Sequence, residues 1–308
     1  MIVVCGEALM DVFSAADTPS GLTLDARVGG SPFNVAIGLA RLAQPVGFFG
    51  SISVDFLGDR LMRTLQEEGV ATGSVLRVEA PTTLGLVGMK AQGVPSYTFY
   101  GQGGADRQVH PDAFALLPDT LQALHLGSFT TVVEPVAATL RALVAQVPAS
   151  TLVSYDPNVR LNVEPDLARW REMLDWMLPR AQLLKISDED LAMLLPETSP
   201  EQFCALALQR GVGLVVVTLG GKGALACTAQ LTARVPAVTV AVVDTVGAGD
   251  TVQAALLTWL AENGCLAADA LPGLTQEQLQ AAVSFAARAA AITCSRRGAD
   301  LPRRAELG

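Results

Sequence analysis

The run Gly247-Ala248-Gly249-Asp250 places a carboxylate directly after a turn of small residues. It follows Val238-Thr239-Val240-Ala241-Val242-Val243, a β-prone run, and precedes Val252-Gln253-Ala254-Ala255-Leu256-Leu257, which reads as a buried helix. A strand that ends in a glycine turn and opens a helix leaves N–H groups free at the positive end of the helix dipole, which makes an anion site. Gly247 and Gly249 carry no Cβ to hold a phosphate away from those groups. Asp250, in the first helical turn, would stand beside the anion. That is electrostatically costly unless the carboxylate has a role, such as accepting a proton from an attacking hydroxyl. An ordinary Gly/Asp-rich helix start accounts for the same residues, since both types suit caps and turns.

A second glycine turn, Gly29-Gly30-Ser31-Pro32-Phe33-Asn34, leads into the apolar run Val35–Leu42. Ser31 is expected as the N-cap and Pro32 at the first helical position. Asn34 would present an amide to a hydroxyl, although a closely packed, capped helix needs no ligand. Arg160, in Asp156-Pro157-Asn158-Val159-Arg160, either pairs with Asp156 or reaches a sugar or phosphate oxygen. Gly220-Gly221-Lys222-Gly223 resembles a tight turn between strands. His110 and His125 belong to no ligand-spaced pair, and neither is expected to be catalytic. There is no G-x-S-x-G, no H-E-x-x-H and no P-loop, and no G-x-G-x-x-G follows the first strand, which disfavours a dinucleotide-dependent oxidoreductase.

These groups need elements to hold them. Ile2–Cys5 and Val46–Ile52 read as buried strands, and Gly21–Val28 alternates as a half-exposed one. A helix is expected near Phe56–Glu68. From His125 onward the apolar strands Leu124–Gly127, Leu152–Tyr155, Leu183–Ile186 and Leu214–Thr218 alternate with helices near Pro135–Val147, Leu167–Met177 and Asp188–Leu195. A last long helix, Gln276–Thr293, is alanine-rich. The pattern predicts an α/β fold with a central, mainly parallel β-sheet and helices on both faces. Ligands bind such sheets at the carboxyl ends of the strands. Asp11, Asp156 with Arg160, Lys185, Thr218 with Gly220 and Gly223, and Asp244–Asp250 all read as lying just past strand ends. Ser74–Val78, Thr83–Met89 and Tyr97–Tyr100 interrupt the rhythm. They group with the strand near 22–28 as a small sheet, expected to serve as a lid, a dimer surface or both. The reading is one domain over 1–308, with lid segments around 12–28 and 74–102.

Composition narrows the functions. Of 308 residues, 50% are hydrophobic and 17% charged, as in an ordered globular protein. The net charge of −9 without a Lys/Arg run disfavours nucleic acid and anionic membranes as partners, so a phosphorylated ligand must be held by local features. Five scattered cysteines without a C-x-x-C favour a reducing compartment with neither disulfides nor a zinc site. With no leader pattern and no apolar run of about 18 residues, a cytoplasmic protein is expected.

Together, Gly29-Gly30-Ser31-Pro32-Phe33-Asn34-Val35-Ala36 and Asp244-Thr245-Val246-Gly247-Ala248-Gly249-Asp250 resemble the two signatures of the ribokinase-like (PfkB) family of sugar and nucleoside kinases. Gly6–Asp11, Asp156–Arg160, Lys185–Glu189 and Thr293–Ala299 are most similar to the fructokinases. The resemblance implies ATP-dependent phosphorylation of a sugar hydroxymethyl group, with fructose as the leading acceptor. Asp250 would be the base, and Gly247, Ala248 and Gly249 would supply N–H groups to the transferred phosphoryl. Asp11, Gly29, Gly30, Asn34, Tyr100 and Arg160 would hold the sugar, with Asp250. Lys185, Ser187, Thr218, Gly220, Gly223 and Gly249 would lie along the nucleotide. A magnesium ion would bridge its phosphates, with Asp190 acting through water. A potassium ion beside the anion turn would involve Asp244, Val246, Ser295 and Gly298. A homodimer would form through the β lid.

The sequence departs from the family pattern in places. Ser187 and Asp190 replace an Asn and a Glu, Val252 replaces a Phe, Ala255 replaces a Gly, and Gly101 stands where an Arg is common. The alternatives are a kinase for another sugar or sugar acid, such as 2-keto-3-deoxygluconate or ribose, and a non-catalytic sugar-binding regulator.

Overall fold

Ile2-Val3-Val4-Cys5 is apolar at every position because both of its faces are covered. Ile2 and Val4 enter one core and Val3 and Cys5 the other. The computed structural model describes residues 1–89 and 95–308. In chain order the first elements are β1 (Ile2–Cys5), β2 (Leu9–Thr18), β3 (Gly21–Gly29), α1 (Ser31–Arg41), β4 (Val46–Ser53), α2 (Phe56–Glu67), β5 (Val75–Val78), β6 (Leu84–Met89) and β7 (Pro95–Tyr100). β8 (Ala123–Gly127), α3 (Val136–Gln146), β9 (Leu152–Asp156), α4 (Leu167–Met177), β10 (Leu183–Ser187), α5 (Asp188–Leu194) and α6 (Pro200–Gln209) follow. The chain closes with β11 (Leu214–Thr218), β12 (Ala224–Cys227), β13 (Thr232–Val235), α7 (Ala248–Glu262) and α8 (Gln276–Cys294).

Among the described residues the large sheet has nine strands in the order β13-β12-β11-β10-β9-β8-β1-β4-β5. It is parallel from β11 to β5, and β12 and β13 add an antiparallel edge. α1, α2, α7 and α8 cover one face, through residues such as Leu39, Leu61, Leu256 and Val283. α3 to α6 cover the other, through Leu140, Met173, Leu191 and Phe203. The expected fold class holds. The second sheet runs β3-β2-β6-β7. The hairpin of β2 and β3 is mostly exposed towards its tip, and Leu22 and Leu24 face solvent.

Two expectations about elements are corrected. Val75–Val78 does not join the second sheet. It pairs in parallel with β4, Gly50 opposite Val75, so the open backbone of that edge captures it. Residues 90–94 of the expected 74–102 lid segment lie outside the described residues. Val238–Val243 is not a strand, and Val242 and Val243 are exposed at 65% and 62%. β-propensity expresses itself where a neighbouring strand and a covered face exist, and here the edge is already taken by β12 and β13. The 243–247 segment is anchored instead by the Val243 and Asp244 amides, which donate to the Cys294 carbonyl.

α1 and α7 cross closely, and this crossing builds the site. A Cβ on Gly38 would come within 2.9 Å of the Ala254 Cβ and 2.4 Å of Leu301, so only glycine lets the helices approach this far. The crossing carries the first turn of α1 to the first turn of α7.

Candidate active site

α7 begins at Gly247, whose φ of 78° suits glycine and whose added Cβ would strike Ala299 at 2.7 Å. Thr251 is the first amide to bond back along the helix, to the Gly247 carbonyl at 2.8 Å, and the Ala248 amide donates to Thr245. The Gly249 and Asp250 amides are left without an intrahelical acceptor at the positive end of the helix dipole. A Cβ on Gly249 would lie 2.9 Å from Lys185 Nζ, so the bare backbone there lets an ammonium stand against the turn.

Lys185 lies within β10, not beyond its end as expected. The residue is 3% exposed, and its ammonium donates to Asp156 Oδ2 at 2.8 Å. Burial pulls the Lys185 pKa down, but the carboxylates of Asp156, Asp190 and Asp250 outweigh it and hold the group above its ordinary value. Arg160 therefore does not pair with Asp156. It lines the cleft, and its charge acts on Asp11 and Asp250.

Asp250 is buried in the first turn of α7. Ser31 Oγ donates to Oδ1 at 2.7 Å and Asn34 Nδ2 donates to Oδ2 at 2.8 Å. Burial raises its pKa, and the Ser31 and Asn34 hydrogen bonds, Lys185 and Arg160 oppose that rise. Ser31 is not the N-cap of α1. Gly30 is, at a φ of 105°, and the serine hydroxyl is thereby free to reach across. Asp11 lies inside β2, not past a strand end. Burial raises its pKa to about 6, with Arg160 working against the rise and Asp250 adding to it.

A cleft of about 680 Å³ joins these groups. Asp11, Gly30, Ser31 and Asn34 line it together with Arg160, Lys185, Ser187, Asp190, Val246, Gly247, Gly249 and Asp250. Gly29 sits behind Asp11, where an added Cβ would meet the carboxylate at 2.3 Å. Tyr100 is not among the lining residues and is 61% exposed. The strand alternation presents Phe99 to the cleft instead. Thr218 lies beside Ser187 in the β10–β11 register, and Gly220 and Gly223 form the turn into β12 at the same sheet edge. They extend that edge without lining the cleft.

Two features bear on cations. Among the described residues no group of three His, Cys, Asp or Glu side chains converges as a metal site. The Asp190 carboxylate, which accepts from the Val159 amide at 3.2 Å, suits a magnesium ion that arrives with nucleotide phosphates and keeps most of its water. Asp244 Oδ1 accepts from Val246 N at 3.0 Å and Oδ2 from Gly298 N at 2.8 Å. These bonds tie the loop before α7 to the segment after α8. Ser295 Oγ donates to the Ile292 carbonyl. A monovalent cation at this junction would find the Asp244 carboxylate as its charged donor.

Glu7, Ser128 and Asn158 were not singled out as site residues, yet all three line the cleft. Glu7 is 1% exposed. Burial raises its pKa to about 7 against hydrogen bonds from Ser128 and Thr130, and nearby Asp106 adds to the rise. An acid two residues past the end of the buried strand β1 was the available signal. His125 is buried in β8 against Ser154, outside the cleft lining, and burial lowers its pKa to about 3. A second hollow of about 350 Å³ is bordered by Glu134 and Arg141, which pair with each other.

The family model for pfkB family carbohydrate kinases matches residues 1–305, and the chain belongs to that family. It is 33% identical over 280 residues to a fructokinase of Rhizobium leguminosarum bv. trifolii, covering 91% of this chain and 86% of that protein. It is 32% identical over 319 residues to probable fructokinase-4 of Arabidopsis thaliana, covering 100% of this chain and 95% of that one. The ATP-bound fructokinase of Xylella fastidiosa superposes with a TM-score of 0.87 at 27% identity, over 99% of this chain and 96% of that one. The fructokinase of Vibrio cholerae O395 with bound fructose, ADP and calcium gives 0.82 at 27% identity, over 99% and 97%. The fold is ribokinase-like, and the chain is a sugar kinase of fructokinase-like type.

Proposed function

We propose that this kinase transfers the γ-phosphoryl of ATP to the hydroxymethyl group of a ketohexose, with fructose as the substrate. The observation that carries the reading is the buried Asp250 carboxylate, standing between the open amides of α7 and the sugar-facing groups Asp11, Asn34 and Arg160. Asp250 accepts the proton of the attacking hydroxyl. The open Gly249 and Asp250 amides of the turn that Gly247 begins, with Lys185, offset the charge on the transferred group. Lys185, Ser187, Thr218, Gly220 and Gly223 follow the nucleotide, which enters as its magnesium complex with Asp190 acting through water. A potassium ion at the Asp244 junction would add fixed positive charge beside the anion turn. The second sheet acts as a lid on the same domain, and its exposed Leu22 and Leu24 favour cover by a second copy. The names of the relatives and the fructose in the Vibrio cholerae structure support the choice of acceptor.

A coupled ADP-release assay with ATP and Mg²⁺ across fructose, ribose and 2-keto-3-deoxygluconate, with and without K⁺, tests the reading. Fructose should turn over. Asp250→Ala should lower kcat by about 10²- to 10⁴-fold while fructose still binds. Turnover of another acceptor but not fructose would reassign the substrate. Sugar binding with no turnover of any acceptor would favour a regulator.

A further inference from the structure

We infer that Ser31 and Asn158 are positioning residues for Asp250: Asn158 orients the Ser31 hydroxyl, and that hydroxyl holds one carboxylate oxygen in place for proton acceptance. The inference rests on Asp250 being the base. Asn158 Nδ2 donates to Ser31 Oγ at 2.6 Å, and Ser31 Oγ donates to Asp250 Oδ1 at 2.7 Å. Asn158 Nδ2 is itself 3.5 Å from Oδ1, so its main action passes through the serine. A hydroxyl has one proton to give. Once the amide occupies a lone pair of Ser31 Oγ, that proton is directed at the carboxylate. Asn34 holds Oδ2 at 2.8 Å. Each oxygen then has one strong donor and keeps a lone pair for a substrate hydroxyl.

The amide of Asn158 is rigidly mounted. Its backbone has a φ of 41°, a left-handed conformation that asparagine tolerates better than most residues. Two residues before it, Asp156 is locked by Lys185. One residue after it, the Val159 amide donates to Asp190. Three separate parts of the chain, α1, the connection after β9 and α7, therefore fix one carboxylate. The charged groups that face Asp250 are Asp11 from β2, Arg160 from the connection after β9 and Lys185 from β10. The Ser31 hydrogen bond favours the ionised form of Asp250 against burial, so its loss should raise the pH at which the base ionises.

The test is the pH profile of kcat with fructose, ATP and Mg²⁺ for Ser31→Ala, Ser31→Thr, Asn158→Gly and the Ser31→Ala/Asn158→Gly double variant. Glycine at 158 keeps the left-handed backbone and removes only the amide. Ser31→Ala should lower kcat about 10- to 100-fold and move the acid limb upward. KM for fructose should change by less than about threefold. Ser31→Thr should retain most of the turnover. Asn158→Gly should lose less than Ser31→Ala, and the double variant should be no worse than Ser31→Ala. An unchanged acid limb in Ser31→Ala overturns the inference, as do additive losses in the double variant. Should Ser31→Ala fail to fold, the upward limb shift in Asn158→Gly decides in its place. Asp250→Asn separates the two levels. Full turnover there removes the base itself. An inactive Asp250→Asn beside a wild-type-like Ser31→Ala removes only the positioning pair.

Discussion

α1 and α7 both start at a glycine with positive φ, Gly30 at 105° and Gly247 at 78°, and neither start has a side-chain cap. Their chemistry differs. In α1, Pro32 has no N–H to offer, and the polar side chains Ser31 and Asn34 reach away to the other helix. In α7, every residue of the Ala-Gly-Asp start carries an N–H, those of Gly249 and Asp250 are open, and a buried ammonium stands against Gly249. One glycine turn can hold an anion, and the other holds the carboxylate beside it. A helix start becomes an anion site only where its amides face open space and no side chain of its own occupies them.

The largest expected effect comes from stripping the cation from the α7 side. Lys185→Met leaves the Asp156 carboxylate buried without a partner, which should cost about 3–5 kcal/mol of stability and shift the urea midpoint. A midpoint within error of the wild type would show that this ammonium is dispensable to the fold. Next, alanine scanning of the two turns should split stability from turnover. Gly30→Ala drives a Cβ to 2.8 Å from the Glu7 backbone carbonyl at an unfavourable φ, costing about 1–3 kcal/mol in thermal unfolding. Gly249→Ala brings a Cβ to 2.9 Å from the end of the Lys185 side chain rather than from backbone, so the fold should survive while kcat drops about tenfold. The reverse pattern would erase the distinction between the turns.

The smallest effect concerns Glu7, under the α1 turn. Its folded pKa of about 7 lies above the ordinary 4.5, so the fold favours its protonated form. The associated stability is complete below the unfolded value and is lost as pH rises through about 7. Glu7→Gln should therefore stabilise the protein by about 1–2 kcal/mol near pH 8 and by little near pH 5, read from melting temperatures at both. Equal shifts at the two pH values would mean that Glu7 is not the titrating group.

Strand and helix positions in the sheet were largely legible, because β1 is apolar throughout, β8, β9, β10 and β11 each carry an apolar majority, and α4 occupies the expected Leu167–Met177. Edge strands were not. Val75–Val78 and Val238–Val243 read alike, yet one found an open edge beside β4 and the other found none. The site divides in the same way. Asp250 and Asn34 stood out through the glycines before them. Ser31 read as a cap, Tyr100 read as a contact, and Glu7 carried no role.

The sequence by itself determined a parallel α/β body, two glycine-led helix starts and an acid in the first turn of one of them. These are properties of local pattern, set by which residues alternate, cap or lack a side chain. Only the tertiary structure decided which groups meet. Ser31 and Asn34 reach Asp250 across more than 200 residues of chain because α1 and α7 cross at Gly38 and Ala254. Lys185 reaches the same turn because β9 and β10 are neighbours, which places Asp156 beside it. Such contacts depend on helix crossings and strand order, so no single stretch of sequence encodes them.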